Sequence, residues 1–114
     1  QVPLVSRHFE ILEKVRLLKG EGDYLFPGQR RGRPLSGMAF LMLMRRMNVG
    51  HYVPHGFRSS FRDWTGDETD FSRDVAEMAI AHKVGNSVEI AYRRRKAIEK
   101  RRELLCQWEV YLSS

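Results

Sequence analysis

The apolar residues of this chain recur at helical spacing in several short segments, and this pattern constrains the fold more than any other feature. Glycines, prolines and helix-capping residues separate the segments from one another. A short β-branched stretch near the N-terminus, "VPLVS", is predicted to be an edge strand or a lead-in. The sequence therefore predicts a mainly α, bundle-like fold of five to six helices, with residues 1–114 forming a single domain.

Each predicted helix begins at a recognisable start signal. These signals are N-cap candidates at Ser6, Ser36 and Ser72, a proline suited to a first turn at Pro54, and a capping box formed by Asn86 and Glu89. The predicted helices span residues 8–19, 36–47, 55–66, 73–83 and 86–112, the last of them straight or bent. The acidic stretch "DETD" between the third and fourth helices is predicted to be a loop.

Two of these helices carry distinct apolar patterns. In the first helix, Phe9, Leu12, Val15 and Leu18 form a stripe at helical spacing, and Gly20 ends it. The second helix contains "MAFLMLM" and is apolar nearly all round, so most of its circumference is expected to be buried.

The segment "HGFRSSFRDW" predicts a helix with two different faces. Phe57, Phe61 and Trp64 lie at positions i, i+4 and i+7 and are expected to anchor one face in the core. The cationic residues on an adjoining face are His55, Arg58 and Arg62. Arginine binds phosphate through paired N–H groups and histidine transfers protons near neutral pH, so this face predicts a phosphate-binding surface. The alternative is an ordinary amphipathic helix whose basic face is solvated.

The overall charge favours an acidic partner. The formal net charge is +6 and the sequence pI is about 9.9, and nucleic acid is the commonest partner of a small basic protein. Ordinary solvated charge is the alternative. Cys106 is the single cysteine, so no internal disulfide is possible, which suits a reducing cytosol. No signal peptide is recognised, and no apolar run approaches the roughly 20 residues that a membrane helix needs.

Three histidines and one tyrosine have competing explanations. His51 and His55 lie four residues apart, a spacing found in helical zinc sites, but Pro54 separates them and no nearby cysteine or carboxylate completes a site. No metal site is therefore predicted. His82 ends a largely apolar helix and is either a satisfied C-terminal histidine or a reactive one. Tyr92 is likewise either a core aromatic residue or a reactive phenol.

The order of these residues resembles the tyrosine recombinase (phage integrase) family, in particular the integrases of prophages and genomic islands. His55 and Arg58 form an H-x-x-R pair, His82 follows a small residue, and Tyr92 comes ten positions after His82. The similar stretches are "HGFRSSFRDW", "AIAHKVGN" and "VEIAYRRRKAIEKRRELLCQWEVYL". The resemblance extends over essentially the whole chain.

This resemblance implies an active site in which four side chains surround one DNA phosphate. Tyr92 corresponds to the nucleophile that attacks the phosphodiester, forms a 3′-phosphotyrosyl link and releases a 5′ hydroxyl. Arg58 and His82 correspond to groups that bind the non-bridging oxygens, and His55 to a proton-handling or hydrogen-bonding partner. Fixed cationic donors neutralise the transition state, so no metal ion and no other cofactor is implied.

Part of the family's active site has no counterpart in this sequence. The family also uses an arginine on an earlier helix and a lysine on a β-hairpin, whereas Arg7 and Lys14 lie on a different predicted element. The resemblance therefore implies the C-terminal part of a catalytic domain, which alone is expected to be inactive or nearly so. It also implies a bacterial cytoplasmic protein that acts on double-stranded DNA attachment sites as a synaptic tetramer, without a membrane partner.

Further basic residues are predicted to contact the DNA backbone. They are Arg45, Arg46, Arg62, Lys83, Arg93, Arg94, Arg95 and Lys96. The loop of residues 30–33 is another candidate, and the acidic segment 63–77 is expected to face away from DNA.

The last predicted helix carries an apolar seam formed by Ile98, Leu105, Trp108 and Leu112. This seam either packs on its own domain or docks on a neighbouring protomer, as C-terminal segments of the family do. Two alternatives to a recombinase remain: a non-catalytic helical DNA-binding module, and a helical protein-interaction domain that uses the Trp108 seam.

Overall fold

The computed structural model describes residues 1–82 and 97–114. Within these residues the chain forms five α-helices and no strand, so the predicted mainly helical fold is confirmed. The helices are α1 (Ser6–Leu18), α2 (Ala39–Arg46), α3 (Gly56–Glu68), α4 (Arg73–Ala79) and α5 (Ile98–Ser113). The predicted helix start at Asn86 and Glu89 lies outside the described residues.

The chain divides into two compact units. One unit comprises Arg7–Gly56, and the other comprises Gln1–Ser6 together with Phe57–Ser114. Helix α2 belongs to the first unit, whereas α4 and α5 belong to the second. The single domain over residues 1–114 stays a prediction.

Helix α1 is largely exposed. It begins at Ser6, so this serine is the first helical residue and not an N-cap. Phe9 and Leu18 are 56% and 81% exposed, while Leu12 and Val15 are half-buried. The helix that the stripe predicts is present, but its apolar side chains are at most half-buried, because burial also requires a partner surface.

Helix α2 is also largely exposed. Met44 is its one buried residue, while Phe40, Met42 and Leu43 are 63%, 45% and 42% exposed. The prediction that most of this helix is buried is wrong. Eight residues make little more than two helical turns, and only the face that carries Met44 is covered.

Between α1 and α2 the chain forms a tight turn around a single bridge between Pro27 and Pro34. Gly28 N–H donates a hydrogen bond to the carbonyl oxygen of Arg33 at 2.7 Å. A Cβ atom at Gly28 would lie 2.3 Å from the carbonyl oxygen of Pro34, so the close approach of the two segments requires glycine. The turn leaves three basic side chains exposed: Arg30, Arg31 and Arg33.

The unit that contains α3, α4 and α5 has an apolar core. Its buried members are Phe61, Trp64, Val75 and Leu104, against which Phe71, Ala79, Ile80, Leu105 and Trp108 pack. Phe61 and Trp64 confirm the predicted apolar face of α3. Phe57 was predicted to join them but is 61% exposed. It lies one turn N-terminal to Phe61, so the core begins at the second turn of the helix.

The boundaries of α3 and α4 differ from the predicted ones at their C-terminal ends. Helix α3 continues through Glu68, so the first two residues of "DETD" are helical. Ser72 is the N-cap of α4 as predicted, and its Oγ accepts a hydrogen bond from Val75 N–H at 3.4 Å. Helix α4 ends at Ala79, earlier than predicted, because Ala81 has a left-handed backbone with φ 59°.

Candidate functional site

Arg58 connects the first turn of α3 to the end of α4. Its Nη2 donates a hydrogen bond to the carbonyl oxygen of Ile80, the C-cap residue of α4. Carbonyl groups at a helix C-terminus lack intrahelical partners and form the negative end of the helix dipole, so a guanidinium suits this position. The Arg58 side chain therefore contacts the backbone at Ile80, two residues before His82.

The backbone after α4 turns back toward the helix, and two hydrogen bonds fix the backbone position of His82. Ala81 N–H donates to the carbonyl oxygen of Met78 at 3.2 Å, and His82 N–H donates to the carbonyl oxygen of Glu77 at 2.8 Å. With Ala81 in the left-handed region, these two bonds form a Schellman motif, a helix ending that usually has glycine at this position.

Glu77 is a buried carboxylate that lies between α3 and the end of α4. Its residue exposure is 7%. Oε2 is 2.5 Å from His82 Nδ1, and Oε1 is 2.9 Å from Arg62 Nε. Arg73 Nε lies 3.8 Å from the same Oε1. A buried carboxylate is expensive unless it is paired, so these contacts explain how Glu77 is accommodated.

Glu77 is the residue that the sequence analysis missed. The acidic segment 63–77 was expected to face away from DNA as a whole, but its last member is buried beside His82 and Arg62. The signal in the sequence was a charged residue inside an apolar helical run, "VAEMAIAH". Such a residue is rarely buried without a partner.

The remaining predicted site residues belong to the other unit or lie outside the described part of the chain. His55 is exposed and directly precedes α3, at the end of the other unit. Arg45 and Arg46 are exposed in the last turn of α2. The predicted nucleophile Tyr92, and the predicted DNA-binding residues Lys83, Arg93, Arg94, Arg95 and Lys96, lie outside the described residues.

Trp108 packs within its own unit. Its ring centroid is 4.9 Å from that of Trp64 and 5.4 Å from that of Phe61, and Tyr111 stacks on it at 5.4 Å. The seam residue Leu105 packs against the core, whereas Leu112 is 65% exposed. Of the two alternatives for the seam, packing on its own domain is therefore the one observed for Leu105 and Trp108.

Two general properties of the described residues bear on function. Among residues 1–82 and 97–114, no three His, Cys, Asp or Glu side chains are arranged so that they could hold a metal ion. In the same part of the chain, each helix is too short or too polar to cross a bilayer.

Comparison with known proteins gives a consistent set of relatives. The chain is 32% identical over 109 residues to prophage integrase IntA of Escherichia coli K12. It is 27% identical over 114 residues to the integrase of Shigella phage Sf6, and 27% identical over 111 residues to that of Enterobacteria phage P4. Over nearly its whole length the chain is therefore similar to integrases of prophages and phages. No family model and no solved structure matches it.

The match covers nearly all of this chain but only a small part of each relative. It covers 94%, 97% and 94% of this chain but only 26%, 29% and 25% of the three relatives. The chain therefore spans between a quarter and a third of the length of the integrases that it matches. That it corresponds to the C-terminal part of a catalytic domain stays a prediction.

Proposed function

We propose that this chain is part of a site-specific DNA recombinase that cuts and rejoins DNA strands through a phosphotyrosyl intermediate on Tyr92. The observation that carries this proposal is the convergence of Arg58 and His82 at the C-terminal end of α4, in a chain that is similar to integrases. The H-x-x-R and small-residue-His patterns single out two residues that are more than 20 positions apart in sequence. Arg58 bonds the carbonyl oxygen of Ile80, and His82 bonds Glu77, so both contact the C-terminal half of α4 or its C-cap.

The proposed reaction is a transfer of a phosphodiester. The phenol oxygen of Tyr92 attacks the phosphorus atom and forms a new P–O bond, while the bond between phosphorus and the 5′ oxygen breaks. The phenol gives up its proton and the leaving 5′ oxygen takes one up, so the products are a 3′-phosphotyrosyl link and a 5′ hydroxyl. Attack by another 5′ hydroxyl reverses these steps, and rejoining needs no ATP because the phosphotyrosyl bond retains the energy of the phosphodiester.

Arg58 and His82 are assigned to the phosphate in this reaction. A guanidinium has five N–H donors, so the hydrogen bond to Ile80 leaves others for the non-bridging oxygens. His82 is tied through Nδ1, and its Nε2 is the nitrogen assigned to the same phosphate. Donors that are already oriented stabilise the charge that develops in the transition state without further reorganisation. His55 is proposed as the proton-handling partner that precedes α3.

Double-stranded DNA attachment sites are the proposed substrate, and a synaptic tetramer is the proposed assembly of the complete protein, which we expect in the bacterial cytoplasm. The exposed side chains of Arg45 and Arg46 are available for phosphate contacts. Arg62 is a weaker candidate than its sequence position implies, because its Nε already lies 2.9 Å from Glu77.

The test uses a nicked suicide DNA substrate and the complete protein that carries this chain. The nick lets the cleaved fragment diffuse away, so the protein–DNA adduct accumulates. We expect an adduct that resists denaturation, is lost in Tyr92→Phe, and persists in the control Tyr111→Phe, which removes a hydroxyl from α5 while retaining the ring that stacks on Trp108.

Two other outcomes of this experiment would favour the two alternatives to a recombinase. Salt-dependent DNA binding without any adduct would indicate a non-catalytic DNA-binding module. Absence of salt-dependent DNA affinity would indicate a protein-interaction domain instead.

A further inference from the structure

The buried carboxylate of Glu77 has a role that the proposed chemistry does not yet include. Its Oε2 contacts Nδ1 of His82, just beyond the end of α4, at 2.5 Å, and its Oε1 contacts Nε of Arg62 on α3 at 2.9 Å. The side chain of Glu77 is 9% exposed, whereas that of His82 is 54% exposed. The carboxylate is therefore fixed inside the protein, and the imidazole it holds reaches the surface.

We propose that Glu77 is a positioning residue that sets the orientation and the tautomer of His82 for strand transfer. This inference rests on the proposed function for its consequence in the reaction. The pairing itself depends only on the structure of α3, α4 and the residues that follow α4.

The tautomer follows from the donor and acceptor capacities of the groups. An ionised carboxylate only accepts hydrogen bonds, so Nδ1 of His82 must carry a hydrogen to bond Oε2 of Glu77. In the neutral ring Nε2 then carries the lone pair, and in the doubly protonated ring Nε2–H becomes the donor to a phosphate oxygen. Glu77 thus assigns the two nitrogens different tasks: Nδ1 anchors the ring and Nε2 meets the substrate.

The backbone restricts the ring further. His82 N–H donates to the carbonyl oxygen of the same Glu77 at 2.8 Å, in the Schellman motif that contains Ala81. His82 is therefore tied to Glu77 at its backbone and at its side chain, and few ring orientations satisfy both contacts. This type of restraint is what holds a reactive group within a fraction of an ångström of its working position.

Arg62 makes the arrangement sensitive to a single atom of Glu77. Arginine has hydrogen-bond donors and no acceptor. In Glu77→Gln the amide oxygen will therefore keep accepting from Arg62, and the amide NH₂ will face Nδ1 of His82. Nδ1 must then accept a hydrogen bond, which transfers the ring hydrogen to Nε2. The isosteric variant is therefore expected to invert the neutral tautomer of His82 while the packing around position 77 is preserved.

The first measurement is long-range ¹H–¹⁵N correlation NMR of the histidine rings in ¹⁵N-labelled protein, with His82 assigned by the loss of its signals in His82→Asn. We expect the Nδ1–H form in the wild type and the Nε2–H form in Glu77→Gln. A wild-type ring in the Nε2–H form would overturn the proposal, whether or not the variant folds. Unchanged ring nitrogen shifts in a folded Glu77→Gln protein would overturn it as well.

The second measurement is the rate of adduct formation on the suicide substrate. Glu77→Gln is expected to lower this rate about 10- to 100-fold, with DNA affinity changed less than about twofold, and Glu77→Asp is expected to recover part of the loss. The matched control Asp67→Asn removes the same charge from an exposed position at the end of α3 and is expected to react at the wild-type rate.

The two measurements separate the two proposals. A wild-type rate in Glu77→Gln, together with an adduct that Tyr92→Phe abolishes, would refute the positioning role and leave the proposed function intact. If the wild type forms no Tyr92-dependent adduct, the proposed function fails, and the ring nitrogens of His82 alone decide whether Glu77 sets its tautomer.

Discussion

Single residues in the core differ widely in how much stability they contribute. Leu104 of α5 is completely buried and packs with Phe61, Trp64 and Val75 from α3 and α4. A buried leucine loses both its transfer free energy and its packing contacts when it is shortened, because the surrounding core cannot close the cavity fully. For a given residue type, the size of the loss therefore depends on how deeply the side chain is buried.

Leu104→Ala is expected to lower the free energy of unfolding by about 3 kcal/mol. Leu112→Ala, the same substitution two turns later on α5, removes a side chain that is 65% exposed and is expected to change it by less than about 0.5 kcal/mol. Urea denaturation followed by circular dichroism measures both values. Equal losses at the two positions would contradict the packing of α5 described above.

The sequence predicted some single residues well and others poorly, for physical reasons. Phe61 and Trp64 were predicted correctly because large apolar side chains at helical spacing are favourably removed from water. Phe57 has the same spacing, but burial needs a partner surface, and that surface is built by distant segments. Glu77 was missed because the partners that compensate its charge, Arg62 and His82, come from both sides of it in the sequence.

Helix endings determine where the proposed phosphate-binding groups lie. Both α2 and α4 end in a Schellman motif with a non-glycine residue in the left-handed region, Asn48 at φ 60° and Ala81 at φ 59°. Asparagine adopts this conformation readily, whereas alanine does so at a cost of roughly 1–2 kcal/mol. The ending at Ala81 is therefore maintained by its surroundings, which include the bonds of Arg58 and His82 to the end of α4.

Substitutions at Ala81 are expected to have opposite effects on stability. Ala81→Gly relieves the left-handed strain and is expected to leave the free energy of unfolding unchanged or to raise it by up to about 1 kcal/mol. Ala81→Val places a β-branched residue in the same conformation and is expected to lower it by at least about 1–2 kcal/mol. Thermal and urea unfolding measure both changes.

The control for these substitutions is Ala76→Gly in the interior of α4. Its helical backbone gives glycine no strain to relieve, so this variant is expected to be less stable by at least about 0.5–1 kcal/mol. A loss of the same size in Ala81→Gly would mean that Ala81 is not strained in solution.

At the scale of elements, the sequence predicted the start of α4 better than its end, whereas two other predicted N-caps are wrong. Helix α1 already includes Ser6, and the N-cap of α2 is Met38 and not Ser36. Ser72 was identified as an N-cap because serine has a specific hydrogen bond to offer there. The end of α4 was placed too late because Ala81 is a good helix former, and nothing in its type signals a left-handed backbone. The bond from Arg58 to Ile80 and the contacts of His82 with Glu77 override that local preference.

The whole molecule carries an excess of positive charge, and in the described residues part of it is already paired. Arg62 and Arg73 contact Glu77, and Arg16 lies 3.7 Å from Glu13 on the exposed side of α1. Arg45 and Arg46 are exposed at the end of α2. Counterion release predicts that only arginines that neutralise DNA phosphates affect the salt dependence of binding.

Arg45→Gln and Arg46→Gln are therefore each expected to reduce the slope of log Kobs against log[salt] by about 0.9 for duplex DNA. Arg16→Gln removes the same charge from an exposed ion pair on α1 and is expected to leave the slope unchanged. Fluorescence anisotropy titrations at several salt concentrations measure these slopes. An equal reduction in all three variants would assign the effect to net charge and not to the end of α2.

At this scale the sequence predicted the helical class and the similarity to integrases but not the distribution of buried surface. Helical class follows from local periodicity, which needs no knowledge of tertiary contacts. The exposure of α1 and α2 depends on which surfaces meet, and a single sequence does not encode this in any local pattern.

The positions of the two tryptophans make intrinsic tryptophan fluorescence a probe of one part of this chain. Trp64 and Trp108 are the chain's two tryptophans, and their ring centroids lie 4.9 Å apart. All indole emission therefore arises where α5 meets α3, and residues 7–56 contribute none. A change in tryptophan emission on DNA addition will therefore report a rearrangement at the contact between α5 and α3. Tryptophan fluorescence will not detect events confined to the other unit unless a third tryptophan is introduced there.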